Sequence, residues 1–304
     1  MRVRAFAKIN LSLRVLGARA DGYHELRTIF QSIALHDTLT IRARRGPFRL
    51  TCDDPNCPSG DTNLIWRAAE RLWKAAGRGG APRDIAIDVE KRIPLEAGLG
   101  GGSSDAAAAL RALGRLWRVE GGKVRAAAAE LGADVPYFFE GGTALGLQRG
   151  DLLFPLIDYP GAWVVIVFPG FGVSTKEAFE WWDKDARSSS FDRSTDSQSS
   201  RAQSRDNKRR MLDPFATSLS MGELVNDLET PVATRHPPIK RLVTRLRRAG
   251  ASHASMSGSG SAVFGLFARR SDAAGVAASL AGGSHHAVLT RTLNRSRYQR
   301  LAAT

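Results

Sequence analysis

The sequence predicts an α+β protein of two domains, the first spanning 1–150 and the second 151–304. Three observations carry this reading. A chain of 304 residues exceeds what one hydrophobic core commonly fills. In the first half, Ile85, Ile87 and Val89 alternate as a half-buried strand and lead through a glycine-rich loop into an alanine-rich helix. In the second half, apolar segments succeed one another as strand, helices, strand, helix, strand, the order of a ferredoxin-like domain.

Taken in order, the chain opens with a strand over Val3–Val15. Val3, Ala5, Ala7 and Ile9 share one face, continued by Leu11, Leu13 and Val15, while Lys8 and Asn10 fall side by side on the other. A strand lysine is commonly a solvated edge residue, so Lys8 alone decides nothing. Gly17–Leu26 is turn-rich and holds Tyr23-His24, which suits a surface rim and a binding loop equally. Asp61–Ala76 is an amphipathic helix with Leu64, Ala68 and Leu72 on one stripe and Gly77 at its stop; Asn63 fits its N-cap. A further helix covers Lys123–Leu131, and Asp134 ahead of Pro136 suits a cap of a short helix.

The second half begins with a buried strand, Trp163–Phe168, and a helix, Ser174–Trp182, that carries Thr175 and Phe179. Residues 183–211 are rich in Ser, Arg, Asp and Gln, and Phe191 is the one large apolar residue of the stretch between Asp183 and Arg210. Such a segment buries too little surface to fold, and a disordered insertion is expected. Ile239–Arg248 is a helix with Ile239, Leu242, Val243 and Leu246 on one stripe and Gly250 as its stop. A glycine-serine loop, 250–261, precedes the strand Ala262–Phe267; its SGSGS core also matches linker composition, but its place between a helix and a strand argues otherwise.

Composition excludes several classes. The hydrophobic content of 43% is that of a globular protein. The net charge of +14 raises nucleic acid as a partner, yet the arginines are scattered and no helix clusters them with aromatics. A positive field equally suits polyanionic small substrates, so no nucleic-acid partner is expected. Cys52 and Cys57 have no second pair to complete a metal site; two reduced thiols are expected, with a loop disulfide the alternative. Lys8, Asn10 and Arg14 interrupt any apolar signal-peptide core, and the longest apolar run, Ala162–Phe168, is too short to cross a bilayer. A soluble cytoplasmic protein with no membrane partner is expected, monomer or homodimer.

The organising stretch is Pro94–Ser104, PLEAGLGGGSS. Glycines 98, 100, 101 and 102 let the backbone bend tightly and approach a bulky anion. Ser103, Ser104 and Asp105 are good N-caps for the alanine run behind them. A glycine loop feeding a helix N-terminus offers free N–H groups and the positive end of the macrodipole, a phosphate site. No lysine follows the glycines, so this is not a P-loop, and Ser103 stands where GxGxxG needs its third glycine.

PLEAGLGGGSSDAA resembles the second motif of the GHMP kinases, and GASHASMSGSGSAVFGLF (250–267) resembles their third. AKINLSLRVLGARADGYHEL and GADVPYFFEGGTALGLQRGD are similar to the first motif and the aspartate motif of the diphosphocytidyl-methylerythritol kinase branch. DGYHEL is the most specific of these signals, because mevalonate and homoserine kinases lack it. The resemblance covers the chain apart from the insertion and the last residues, and implies a two-domain GHMP kinase fold with the active site in the cleft between the domains.

It also implies roles. ATP is expected on Pro94, Leu95, Glu96, Ala97, Gly98, Leu99, Gly100, Gly101, Gly102, Ser103 and Ser104, with Lys91 upstream and Asn63 at the adenosine; Mg²⁺ would bridge the β and γ oxygens. Asp134 is the expected base for a poorly nucleophilic tertiary-carbon hydroxyl, and Lys8 its partner, stabilising charge on the acceptor oxygen and γ-phosphoryl. Asn10 would orient the acceptor. Tyr23 and Phe179 would stack on a cytosine whose edge His24 reads, with Thr175, Gly258 and Ser259 closing the acceptor pocket. The expected reaction is phosphorylation, by ATP, of the 2-hydroxyl of a cytidine-diphosphate conjugate of methylerythritol; another small alcohol, homoserine or mevalonate, is the alternative.

Overall fold

The computed structural model describes residues 1–192, 224–282 and 285–303. The longest strand is one that the apolar alternation does not announce. β2 runs from His24 to Pro47, joined to β1 (Arg2–Ala18) by a tight turn in which Arg19 N–H donates to Tyr23 O. β1 pairs antiparallel along β2, and β2 in turn pairs with β4 (Arg83–Glu90) through its C-terminal half and β5 (Thr143–Gln148) through its N-terminal half. β3 (Arg49–Cys52) and β6 (Leu152–Pro155) complete a six-stranded sheet.

β1 departs from a simple two-faced strand. Its register shifts between Phe6 and Lys8 and again between Asn10 and Ser12. Val3 and Ala5 therefore pack with the first-half core, whereas Ala7, Ile9 and Leu11 pack against Val164, Ile166 and Phe264 of the second sheet. The strand is buried on both faces because it is the seam between the two sheets, and its bulges re-aim Lys8 and Asn10.

Helices α1 (Leu64–Ala75), α2 (Gly101–Trp117) and α3 (Gly121–Leu131) cover the first sheet, with Leu72, Leu110 and Leu113 fully buried among Ile87 and Leu39. α4 is a single turn, Tyr137–Glu140. Its N-cap is Pro136, so Asp134 is not the cap residue of that helix.

The second sheet has the order β10-β7-β9-β8 and is antiparallel throughout, from β7 (Trp163–Phe168), β8 (His253–Met256), β9 (Val263–Phe267) and β10 (His286–Arg291). With α5 (Thr175–Asp192), α6 (Glu229–Arg235) and α7 (Pro237–Arg248) between β7 and β8, and α8 (Arg270–Leu280) between β9 and β10, this is ferredoxin-like order. A last helix, α9 (Arg295–Ala302), packs Tyr298 against Phe6 of β1. Two sequence expectations change here. His253–Met256 is a strand rather than loop, because it is buried against α7 and paired with β9. Residues 183–192, expected within the disordered insertion, are helical instead: α5 continues to Asp192, its Phe179 and Trp182 packed on the core, Asp183 bonded to His24 and Asp185 to Arg235. Residues 193–211 of the expected insertion lie outside those described.

Candidate active site

A cavity of about 930 Å³ lies where β1, the Pro94–Gly101 loop, the start of α5 and the Gly258-Ser259 turn meet. Its floor is built by β1. Lys8 Nζ donates to Asn10 Oδ1 at 2.6 Å and to Gly98 O at 3.0 Å, and lies 3.5 Å from Asp134 Oδ2. The Lys8 side chain is 4% exposed and that of Asp134 33%, so the cation is set in the floor and the carboxylate faces the opening. Asn10 Nδ2 is spent on Thr28 Oγ1 at 2.7 Å, and Thr28 passes the chain on to Ser12 O. Lys8 is thereby fixed from three sides, and its ammonium points at the space in front of the glycine loop.

That loop is held by contacts only glycine permits. Gly98 has φ +73°, and a Cβ there would stand 2.0 Å from Ser257 O. The backbones of the two glycine loops, one from each half of the chain, touch at this point. Gly100, with φ +70°, is the N-cap of α2, and a Cβ would meet the Phe138 ring at 2.8 Å. The first helical bond is Ser104 N–H to Gly100 O, leaving the amides of Gly101, Gly102 and Ser103 outside the helical ladder. The helix thus starts before Ser103–Asp105, the caps expected from sequence, since a left-handed glycine can turn the chain into the helix earlier.

At the far end of the cavity His24, from the start of β2, stacks on Phe179 of α5, ring centroids 4.7 Å apart, and its Nε2 lies 3.0 Å from Asp183 Oδ1. Tyr23 is 54% exposed and carries the Arg149 guanidinium 5.1 Å from its ring centre. Thr175 Oγ1 and Ser259 Oγ are 3.0 Å apart, joining α5 to the second glycine loop, and Asn226 Nδ2 clamps that loop by donating to Met256 O and Gly258 O.

Comparison with known proteins identifies this arrangement. The family model described as the GHMP kinases N terminal domain matches residues 63–142, and that of the GHMP kinases C terminal domain matches 208–284. The 4-diphosphocytidyl-2-C-methyl-D-erythritol kinase of Moorella thermoacetica is 40% identical over 291 residues, covering 95% of this chain and 98% of that one. The chain belongs to that family of GHMP kinases. The kinase of the same name from Solibacter usitatus is 42% identical over 88% of this chain and 81% of its own. A solved 4-(cytidine 5'-diphospho)-2C-methyl-D-erythritol kinase superposes with a TM-score of 0.73 at 34% identity, covering 96% of this chain and 99% of that one. The mevalonate kinase of Methanococcus jannaschii, at 14% identity and a TM-score of 0.66, shares the fold.

The cavity of this kinase gathers most of the residues singled out in the sequence. Lys8, Asn10, Tyr23, His24, Pro94, Glu96, Ala97, Gly98, Leu99, Gly100, Gly101, Ser103, Asp134, Thr175, Phe179, Gly258 and Ser259 line it. Five others do not. Leu95 and Gly102 lie off its wall, and Ser104 is turned away, its hydroxyl donating to Phe6 O at 2.7 Å. Asn63 is the N-cap of α1: Oδ1 accepts from Ile65 N–H and Nδ2 donates to Pro58 O. Lys91 is sealed beneath the loop, its Nζ 2.5 Å from Asp37 Oδ2 and 2.8 Å from Asp105 Oδ2. Its ammonium is held above the ordinary lysine range because Asp105 and Asp37 outweigh the effect of burial. Burial, together with Asp37, pushes the Asp105 carboxyl up to about 7 despite Lys91.

The residues expected around a base are also arranged otherwise than expected. Tyr23 and Phe179 do not face each other across an empty slot, since His24 covers one face of Phe179 and Arg149 the ring of Tyr23. Thr28, Arg149, Asp183 and Asn226 were not singled out in the sequence. The contacts that bring them to the site, to Asn10, Tyr23, His24 and Gly258, are remote in the chain, and Asp183 sits inside a segment whose composition points to disorder.

Proposed function

We propose that this kinase transfers the γ-phosphoryl of ATP to the 2-hydroxyl of 4-diphosphocytidyl-2-C-methyl-D-erythritol. The observation that carries the reading is the meeting of Lys8, Asp134 and the glycine loop on one cavity whose other end holds His24, Phe179 and Tyr23. Phosphoryl transfer asks mainly for positioning and charge neutralisation. The amides at the start of α2 would hold the triphosphate, aided by the helix dipole. Asp134, on the open side, would accept the acceptor hydroxyl's proton as the bond to phosphorus forms. Lys8, 3.5 Å from it, would neutralise charge on the acceptor oxygen and the incoming phosphoryl group. Its bonds to Asn10 and Gly98 O already fix its direction, so little reorganisation is needed.

Among the described residues no group of three or more His, Cys, Asp or Glu side chains could cage a metal ion. Mg²⁺ is read as arriving on the triphosphate, as part of the substrate. The cytidine end would lie against Phe179 and Tyr23, taking over stacking now made by His24 and Arg149. Such remote binding energy can be spent on aligning the reacting hydroxyl. The test is direct: protein, Mg-ATP and a panel of alcohols are mixed and ADP is recorded. The cytidine conjugate should release ADP, and homoserine and mevalonate should not. ADP release with either of those, and none with the conjugate, overturns the reading.

A further inference from the structure

We propose that Lys91, Asp37 and Asp105 are positioning residues that set the geometry of the glycine loop before nucleotide binds. The inference rests on reading that loop as the triphosphate cradle. Asp37, on β2 and fully buried, receives three donors: Lys91 Nζ at 2.5 Å, Arg92 N–H at 2.5 Å and Ile93 N–H at 2.8 Å. It therefore fixes the backbone that leads into the loop. Asp105, in α2, accepts from the same Lys91 Nζ at 2.8 Å. Lys91 thus bridges the stretch before the loop to the helix after it, and its ammonium lies 3.5 Å from where a Gly101 Cβ would be. None of the three lines the cavity, so they act on nucleotide only through the loop they brace.

The arrangement is poorly explained as a device for stability alone. Asp105 Oδ1 is buried with no hydrogen-bond partner among the described residues, and one cation is shared between two carboxylates whose side chains are 0% and 6% exposed. Buried ion clusters of this kind are often matched or bettered in stability by apolar replacements. Here the cluster ties both ends of a loop whose amides must converge on one anion, which is preorganisation.

Steady-state kinetics on the full chain tests it. Lys91→Met should raise KM for Mg-ATP about tenfold or more while KM for the acceptor alcohol stays within about twofold, because the acceptor touches none of the three. The double variant Lys91→Met/Asp105→Leu removes one of the two carboxylates left without a cation, Asp37 keeping its two backbone donors, and should recover part of the melting temperature without recovering KM for ATP. If KM for ATP is unchanged in Lys91→Met, or returns with the melting temperature in the double variant, the assignment is overturned. Should Lys91→Met not fold, Asp105→Asn keeps the shape and should still raise KM for ATP about threefold; no rise there also overturns it. Wild-type protein that fails to bind Mg-ATP at all would instead remove the cradle reading on which this rests.

Discussion

Two lysines flank the same glycine loop, each with 4% of its side chain exposed, and their surroundings differ in one respect. Lys91 is enclosed by two carboxylates and faces no open space. Lys8 has one carboxylate at 3.5 Å, two neutral oxygens nearer, and a cavity in front of it. Burial therefore does not separate a structural cation from one that can meet a substrate. What separates them is whether the protein itself supplies all the negative charge. Around Lys91 it supplies two carboxylates; around Lys8 it supplies one and leaves open space, which the proposed function fills with a phosphoryl group.

The comparison breaks most readily at Asp134. Asp134→Asn keeps the shape and removes the proposed base, and turnover should fall by roughly two to four orders of magnitude with nucleotide binding retained. Lys8→Met should cost about as much, and the double variant far less than the sum. Near-normal turnover in Asp134→Asn would return Lys8 to the class of Lys91. Gly98→Ala strikes the loop between the lysines. Its Cβ would collide with Ser257 O, so roughly 2 kcal/mol or more of stability should be lost, read as a lower melting temperature.

Phe179→Ala acts at the far end of the cavity, outside both lysine neighbourhoods. Removing one stacking partner, worth about 1–3 kcal/mol, should weaken acceptor binding and leave ATP binding unchanged in calorimetry. An equal fall in both affinities would show that the substitution deforms α5 instead of removing a surface for the base. The smallest effect is in pH. The Asp105 carboxyl is raised from 3.8 to about 7, so the folded protein holds its proton longer than the unfolded chain. Its contribution to stability is complete below about 4 and lost as pH rises through 7. Relative to Asp105→Asn, wild-type protein should lose melting temperature between pH 4 and 7 and change little above; a constant difference across that range would show that the Asp105 carboxyl is not raised.

Much of this was legible in residue order. Ile85, Ile87 and Val89 followed by PLEAGLGGGSSDAA announce a strand, a glycine loop and a helix within one short stretch, and the stripe Ile239, Leu242, Val243, Leu246 is buried as its spacing requires. β2 was not legible, because successive residues along it are buried, Phe30–Ile33 and Asp37–Leu39, with polar Gln31, Ser32, Asp37 and Thr38 among them, so no alternation of apolar and polar residues is left to detect. Lys91 and Ser104 read as ligand residues because a lysine and a hydroxyl beside a glycine loop suit a phosphate; which way each points depends on what the fold packs beneath it.

The sequence by itself determined the elements whose causes are local: the glycines that permit left-handed turns, the Asn63 cap, the alanine helix and the apolar stripes. It also carried the family, since motifs are strings. Only the tertiary structure decided which polar side chains face the cavity. Asp37 reaches Lys91 across 54 residues and Asp183 reaches His24 across 159. Partners so distant are brought together by sheet pairing and core packing, and no periodicity or spacing records them.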